Sequence, residues 1–191
     1  PASGINTLAD LIRTVKAQPR KVNFASPGVN TVPFLTGDML NRAAGMELYS
    51  VPYNGSVAAT TATLTGEATV AIDGLPSFAA HVKSGKLRAL AVTSAQRLPG
   101  YENVPAANET LPGFESIGWF AVFAPAGVPA PIAERINADV NRVMQMPDVV
   151  ARLAELGVYP NPGPQKQVEQ FYAQQRALWR KVVTDLGLQP Q

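Results

Sequence analysis

Apolar residues spaced three and four apart alternate with short apolar runs along the first part of the chain, the pattern of helices alternating with strands. Leu8, Leu11, Ile12 and Val15 share one helical face, with Asn6 or Thr7 as cap and Pro19 ending the segment. A strand over residues 21–25, through Val22 and Phe24, leads into a glycine-bearing turn and then a helix from Val32 that buries Leu35, Met39 and Leu40 and closes near Gly45. The alternation continues with a strand over 47–51, a turn over 52–56 and a helix over 57–64, although its threonines are poor helix formers. Residues 68–72 read as a short strand, 73–76 as a tight loop, and 77–84 as a helix stopped by Gly85. The continuous apolar run 87–93 has the character of a strand covered on both faces.

Pro99, Pro105, Pro112 and the glycines between Ser94 and Gly118 break the pattern, so this stretch is expected to be a surface excursion. Beyond it residues 119–124 read as a strand and 125–129 as a turn. Helical stripes follow: Ile132, Ile136, Val140 and Val143; then Val149, Leu153 and Leu156; then Val168, Phe171, Tyr172, Leu178, Trp179, Val182 and Leu186. No internal repeat is present. Strands alternating with helices of this length imply an α/β fold with a mostly parallel sheet.

Composition narrows the chemistry. With 191 residues, 46% of them hydrophobic, the chain is long enough to bury a core. A net charge of +2 with scattered Lys and Arg lacks the footprint of a nucleic-acid binder, so no nucleic acid is expected as partner. The absence of Cys and the single His81 remove thiolate chemistry and the usual zinc ligand sets. His81 stands within a helical stretch, with no titrating neighbour that would make it a base. No catalytic triad, paired carboxylates, dinucleotide fingerprint or P-loop is found, so the sequence points to no catalytic residue, no cofactor and no metal.

What remains is a set of turns. In a parallel α/β sheet the loops leaving the carboxyl ends of the strands gather at one edge, where ligands sit. The turns at 26–31, 52–56 and 73–77 each carry a glycine and a hydroxyl or carboxyl side chain. In the first, Gly28 lets the backbone approach a ligand, and the free N–H groups opening the next helix form a cradle for an anion to which the Thr31 hydroxyl can add a bond. Each also has an ordinary structural reading: Ser56 and Ser77 as helix caps, Asp73 as a turn former, and Tyr53 as a half-buried ring with its hydroxyl in water.

The ordered strings Phe24-Ala-Ser-Pro-Gly-Val-Asn-Thr31, Val51-Pro-Tyr-Asn-Gly-Ser56, Ile72-Asp-Gly-Leu-Pro-Ser77, Gly85-Lys-Leu-Arg-Ala-Leu-Ala-Val-Thr-Ser94 and Trp119-Phe-Ala-Val-Phe-Ala-Pro-Ala-Gly127 resemble the extracytoplasmic solute receptors of tripartite tricarboxylate transporters, the Bug family. The resemblance runs over nearly the whole chain and covers roughly the C-terminal two thirds of a receptor. It implies a type II periplasmic-binding-protein-like α/β lobe over residues 1–120, and a return segment with C-terminal helices over 121–191 that belongs to an incomplete first lobe. It also implies a periplasmic receptor, not an enzyme, that captures a small carboxylate by lobe closure and hands it to a membrane permease. The signal peptide and the rest of the first lobe would precede the residues in hand.

Carried onto this sequence, the family's contacts fall on Ser26, Gly28, Asn30, Thr31, Tyr53, Gly55, Ser56 and Asp73. The chain departs from the family's habits where Phe34 replaces a common His, Asn54 a Lys, Gly74 an Asn, and Val29-Asn30 a more typical Asn-Gly. Exposed apolar surface on residues 121–191 is expected to favour dimerisation or element exchange. The alternatives are an α/β enzyme whose catalytic residues lie outside these residues, and a ligand-sensing module that signals to a membrane partner.

Overall fold

The computed structural model describes residues 3–187. The chain divides into two compact units, residues 1–118 and 119–191.

The first unit is built on a parallel three-stranded sheet in the order β2-β1-β3. Ahead of it, α1 (Leu8–Ala17) is opened by a capping box: Thr7 Oγ1 accepts from Asp10 N at 3.0 Å, and Asp10 Oδ2 accepts from Thr7 N at 3.1 Å. The helix buries Leu8, Leu11 and Val15. The central strand β1 (Asn23–Ser26) has Phe24, Ala25 and Ser26 wholly enclosed, as befits a strand covered on both faces. It leads into α2 (Val32–Ala44), which starts at the Thr31 cap and ends at Gly45 in the left-handed conformation, φ 58°. Gly37 of this helix lies directly on the Phe24 ring.

The strand β2 (Tyr49–Pro52) is held at its start by the Asn41 amide, which donates to Leu48 O and accepts from Leu48 N. It is followed by α3 (Ser56–Thr65), the threonine-rich helix. Thr61, Thr63 and Thr65 hydroxyls donate back to the carbonyls of Val57, Ala59 and Thr61. Burial of Ala59 and Ala62 against Ala25 and Ala68 secures the helix where propensity does not. The short β3 (Val70–Ala71) pairs with Phe24 and Ala25, and Asn23 Oδ1 fixes its entry by accepting from Thr69 N and Oγ1.

Several expectations change after β3. The helix expected over 77–84 is a 3₁₀ turn, Leu75–Ser77, followed by the shorter α4 (Ala79–Lys83). Residues 87–93 are not a sheet strand. Their apolar character reflects packing on two sides, with partial burial: Leu90 and Ala91 pack on the Phe24 core, and Ala89 and Val92 on a second cluster around Ala79, Tyr101 and Val104. Their backbone partners are loops instead, through Val92 N to Pro105 O, Ala107 N to Val92 O and Ser116 N to Thr93 O.

The proline-rich stretch 94–118 is likewise more than a surface excursion, since Tyr101, Val104, Ala106, Ala107, Phe114 and Ser116 are buried. A 3₁₀ turn, Ala107–Glu109, brings Glu109 onto Arg97 in a paired contact of 2.7 and 2.6 Å, and Arg97 also donates to Glu102 O. The return to the core ends on a buried hydroxyl pair, Thr36 and Ser116, 2.6 Å apart. Because Thr36 already donates to Val32 O, Ser116 is the donor between them.

The second unit is helical: α5 (Ala130–Met144), α6 (Pro147–Glu155) and α7 (Gln165–Asp185). Residues 119–124 are not a strand, and they have no ladder partner among the described residues. Trp119 meets Phe171 and Tyr172 edge to face, and Phe123 meets Tyr172 in the same way. Asn141 clasps Gly163, donating to its carbonyl and accepting from its N–H. Among the described residues of this unit none is buried, and Phe120 is 90% exposed. Its apolar stripes therefore lack a core of their own.

Candidate functional site

The sheet order sets the arrangement of the three turns. The turn after β1 is central, the turn after β2 lies on one side, and the turn after β3 on the other. Backbone hydrogen bonds knit them together: Tyr53 N donates to Ser26 O at 2.8 Å, Gly55 N to Pro27 O at 3.0 Å, and Ile72 N to Ala25 O at 3.0 Å. The structure thus brings the residues singled out in the sequence to one edge.

The central turn is shaped by backbone conformations that side chains disfavour. Gly28 has φ 151°, and Asn30, at φ 59°, occupies the left-handed region that Asn tolerates best after Gly. The Thr31 hydroxyl donates to Gly28 O at 2.7 Å and accepts from Phe34 N at 3.4 Å. Its proton is therefore committed within the turn, and Thr31 has its backbone N–H to offer a ligand. The amides of Gly28, Val29, Asn30, Thr31 and Val32 have no partner among the described residues. A run of free N–H groups at the positive end of a helix favours negative charge by its own electrostatics.

Ser26 lies under this turn. Alternation along β1 puts Ser26 on the same face as Phe24, which Gly37 covers. Two strand residues advance about 7 Å, and the helix residues from Gly37 back to the first turn of α2 span about the same distance. Ser26 is 0% exposed, and its Oγ has no hydrogen-bond partner. A buried hydroxyl left without a partner is costly, and this one closes the strand that leads into the turn with the free amides.

The second turn corrects one reading. Ser56 is not a cap; Gly55 holds that position with φ 91° and ψ 169°, and no side chain bonds the first amides of α3. The start of α3 is consequently a helix N-terminus without a side-chain cap, beside the Thr31-capped start of α2. Asn54 is exposed, and Val57, in the first turn, is 83% exposed. Tyr53 packs its ring against the alanine cluster while its hydroxyl donates to Glu67 Oε1 at 2.9 Å, so the hydroxyl is not left to water. Partial burial and that hydrogen bond push the phenol's pKa upward.

In the third turn, Asp73 accepts from Gly74 N at 2.7 Å and from Ser77 Oγ at 3.1 Å, closing the 3₁₀ turn. Ser77 is thus held by Asp73 and is not a helix cap. Sequence reading missed Val57 and the bare start of α3. The signal was there in Gly55, whose conformation at a cap removes the side chain that would have bonded the amides. His81 sits in α4, outside all three turns. A groove of about 590 Å³, lined by Ile12, Arg13, Lys16, Ala44 and Leu111, opens at the other end of α2. Among the described residues no cluster of His, Cys, Asp and Glu is arranged to hold a metal, and no helix is long and apolar enough to cross a membrane.

The profile of a family described as "Tripartite tricarboxylate transporter family receptor" matches residues 1–188. A UPF0065 protein from the tcbD-tcbE intergenic region of Pseudomonas sp. strain P51 is 34% identical over 188 residues, 97% of this chain and 56% of the relative. Protein BugT of Bordetella pertussis is 31% identical over 98% of this chain and 58% of its own. The chain therefore spans a little over half the length of these relatives. Among solved structures, Rpa4515 of R. palustris with adipate has a TM-score of 0.88 at 28% identity, covering 98% of this chain and 63% of that one. MatC from Rhodopseudomonas palustris with bound malate has a TM-score of 0.79 at 28% identity, covering 95% and 63%.

Proposed function

Because the chain belongs to the tripartite tricarboxylate transporter receptor family, the Bug family, we propose that it forms one wall of a periplasmic receptor for small carboxylates. The observation that carries this reading is the run of unpartnered amides from Gly28 to Val32, with the buried Ser26 hydroxyl beneath it and the uncapped start of α3 beside it. Unpartnered amides at a helix start hold a carboxylate without a cation, and the dry backing of the sheet strengthens each bond. Gly28, Asn30, Thr31 and Ser56 act mainly through the backbone, Gly55 by leaving the start of α3 open, Ser26 through its hydroxyl, and Tyr53 and Asp73 by shaping the flanks.

In this reading residues 1–120 are the second lobe of a two-lobe receptor, and 121–191 return to complete the first. Ligand capture proceeds by closure of the lobes, and the closed form delivers the solute to a membrane permease; no bond is made or broken. The relatives with adipate and malate fit a receptor for carboxylates of this size.

The test is thermal unfolding of the receptor carrying both lobes, against a panel of mono-, di- and tricarboxylates. A ligand that binds only the folded state raises Tm by mass action, about 2.7 kcal/mol of stabilisation at a hundredfold excess over Kd. A folded protein whose Tm no carboxylate moves would rule the reading out.

A further inference from the structure

Charge is distributed unevenly around this edge. Between Lys21 and His81 the sequence holds one cationic side chain, Arg42, and it lies in the last turn of α2, at the far end of that helix from the turns. Within the three turns and the first turns of α2 and α3, the charged side chain is Asp73. Val29, 56% exposed, and Val57, 83% exposed, add apolar surface to the central turn and to the start of α3. The attraction for an anion comes from the unpartnered amides of 28–32 and the bare start of α3, backed by the enclosed, unpartnered Ser26 hydroxyl. Those donors are fixed in place and their field fades within a turn of helix, so they neutralise one carboxylate and little beyond it.

Resting on the receptor reading above, we propose that this wall selects carboxylates that present a single carboxylate to it, joined to an apolar body, and rejects polycarboxylates that bring a neighbouring carboxylate with the first. A second negative group next to the cradled one would share these turns with the Asp73 carboxylate, and neither the turns nor the first turns of α2 and α3 carry a cation to offset it. At separations of several ångströms near a protein surface, such like-charge contact weakens binding by about tenfold or more. The apolar body meets Val29 and Val57, where burial of each added methylene favours binding. Phe34 and Asn54, at the same turns, are also uncharged.

The experiment is calorimetric titration of the two-lobe receptor with matched pairs that differ by one carboxylate: glutarate against tricarballylate, and 3-phenylpropanoate against benzylmalonate. The expected result is that the member with the lone near-wall carboxylate binds at least tenfold tighter in the pair that binds. Asp73→Asn and, separately, Val57→Lys are each expected to narrow that gap severalfold, the first by removing the opposing charge and the second by supplying a cation at an exposed position. Equal or tighter binding of the polycarboxylate, or a gap that neither substitution changes, overturns the inference while leaving a carboxylate receptor in place. Failure of every carboxylate to bind the folded protein overturns the receptor reading itself.

Discussion

Phe24 and Gly37 fit as a pair: the ring of the first fills the space where a side chain on the second would begin. The contact seats α2 on the central strand and so sets the height of the Gly28 turn above the sheet. Close approach, not an unusual backbone angle, is what glycine supplies here. Gly37→Ala is expected to cost about 1–3 kcal/mol, because the overlap involves a wholly buried ring that has nowhere to move. Urea unfolding of variant and parent checks this, and an unchanged midpoint would mean that the ring and helix separate easily.

Gly55 works by the other property of glycine. At φ 91° and ψ 169° it occupies a region nearly closed to other residues, while no heavy atom crowds the position of a Cβ. Gly55→Ala is therefore expected to cost about 1–3 kcal/mol through backbone strain alone. The strain falls on the turn that bonds Pro27 O, so carboxylate affinity should drop as well. Unfolding and titration of the same variant separate the two effects.

Acid should weaken the fold through Glu109. The Arg97 guanidinium, with help from Ala106 N–H, holds this carboxyl down from 4.5 to about 2. A pKa lower in the folded than in the unfolded state gives stability that is complete above 4.5 and is lost as pH falls toward about 2. Asp10 and Glu102, lowered chiefly by the Thr7 hydroxyl and by Gly100 N–H respectively, act in the same direction. Asp38 acts oppositely: burial raises its pKa, so its contribution is greatest in acid and is lost as pH rises through the folded value. Glu109→Gln is expected to flatten the acid limb of a Tm-against-pH curve, and a limb as steep as the parent's would contradict this.

The apolar side chains of residues 119–187 should make these residues adhesive when they are studied as the 191-residue chain. Phe120, Val122 and Phe123 are 90, 69 and 65% exposed, and Ile132, Ile136 and Val143 add to the same surface character. Expected outcomes are concentration-dependent association in light scattering and strong binding of a hydrophobic dye. Phe120→Ser with Phe123→Ser should reduce both, and a clean monomer with no dye signal in the parent would count against the expectation.

Much of the first unit was legible because local chemistry and burial agree there. Thr7 and Asp10 announce a helix start, Gly45 an end, and Phe24 a covered strand. The reading failed where burial and hydrogen bonding part company. Residues 87–93 are apolar because both sides are packed, yet their backbone bonds go to a loop, which an apolar run does not reveal. Prolines disguised the buried course of 94–118, since they report the lack of regular structure and not where the chain lies. At the site, position was readable but commitment was not: the Thr31, Tyr53 and Ser77 hydroxyls all bond within the protein, whereas the Ser26 hydroxyl is unpartnered.

The bonds from Tyr53, Gly55 and Ile72 back to the central strand and its turn have a consequence for the thermodynamics of capture. A wall tied at each turn to the strand beneath it has little freedom left to lose, so ligand binding should leave amide exchange at Tyr53, Gly55 and Ile72 almost unaltered. The ordering that accompanies capture, and the entropy it removes, would then fall on whatever closes over this wall.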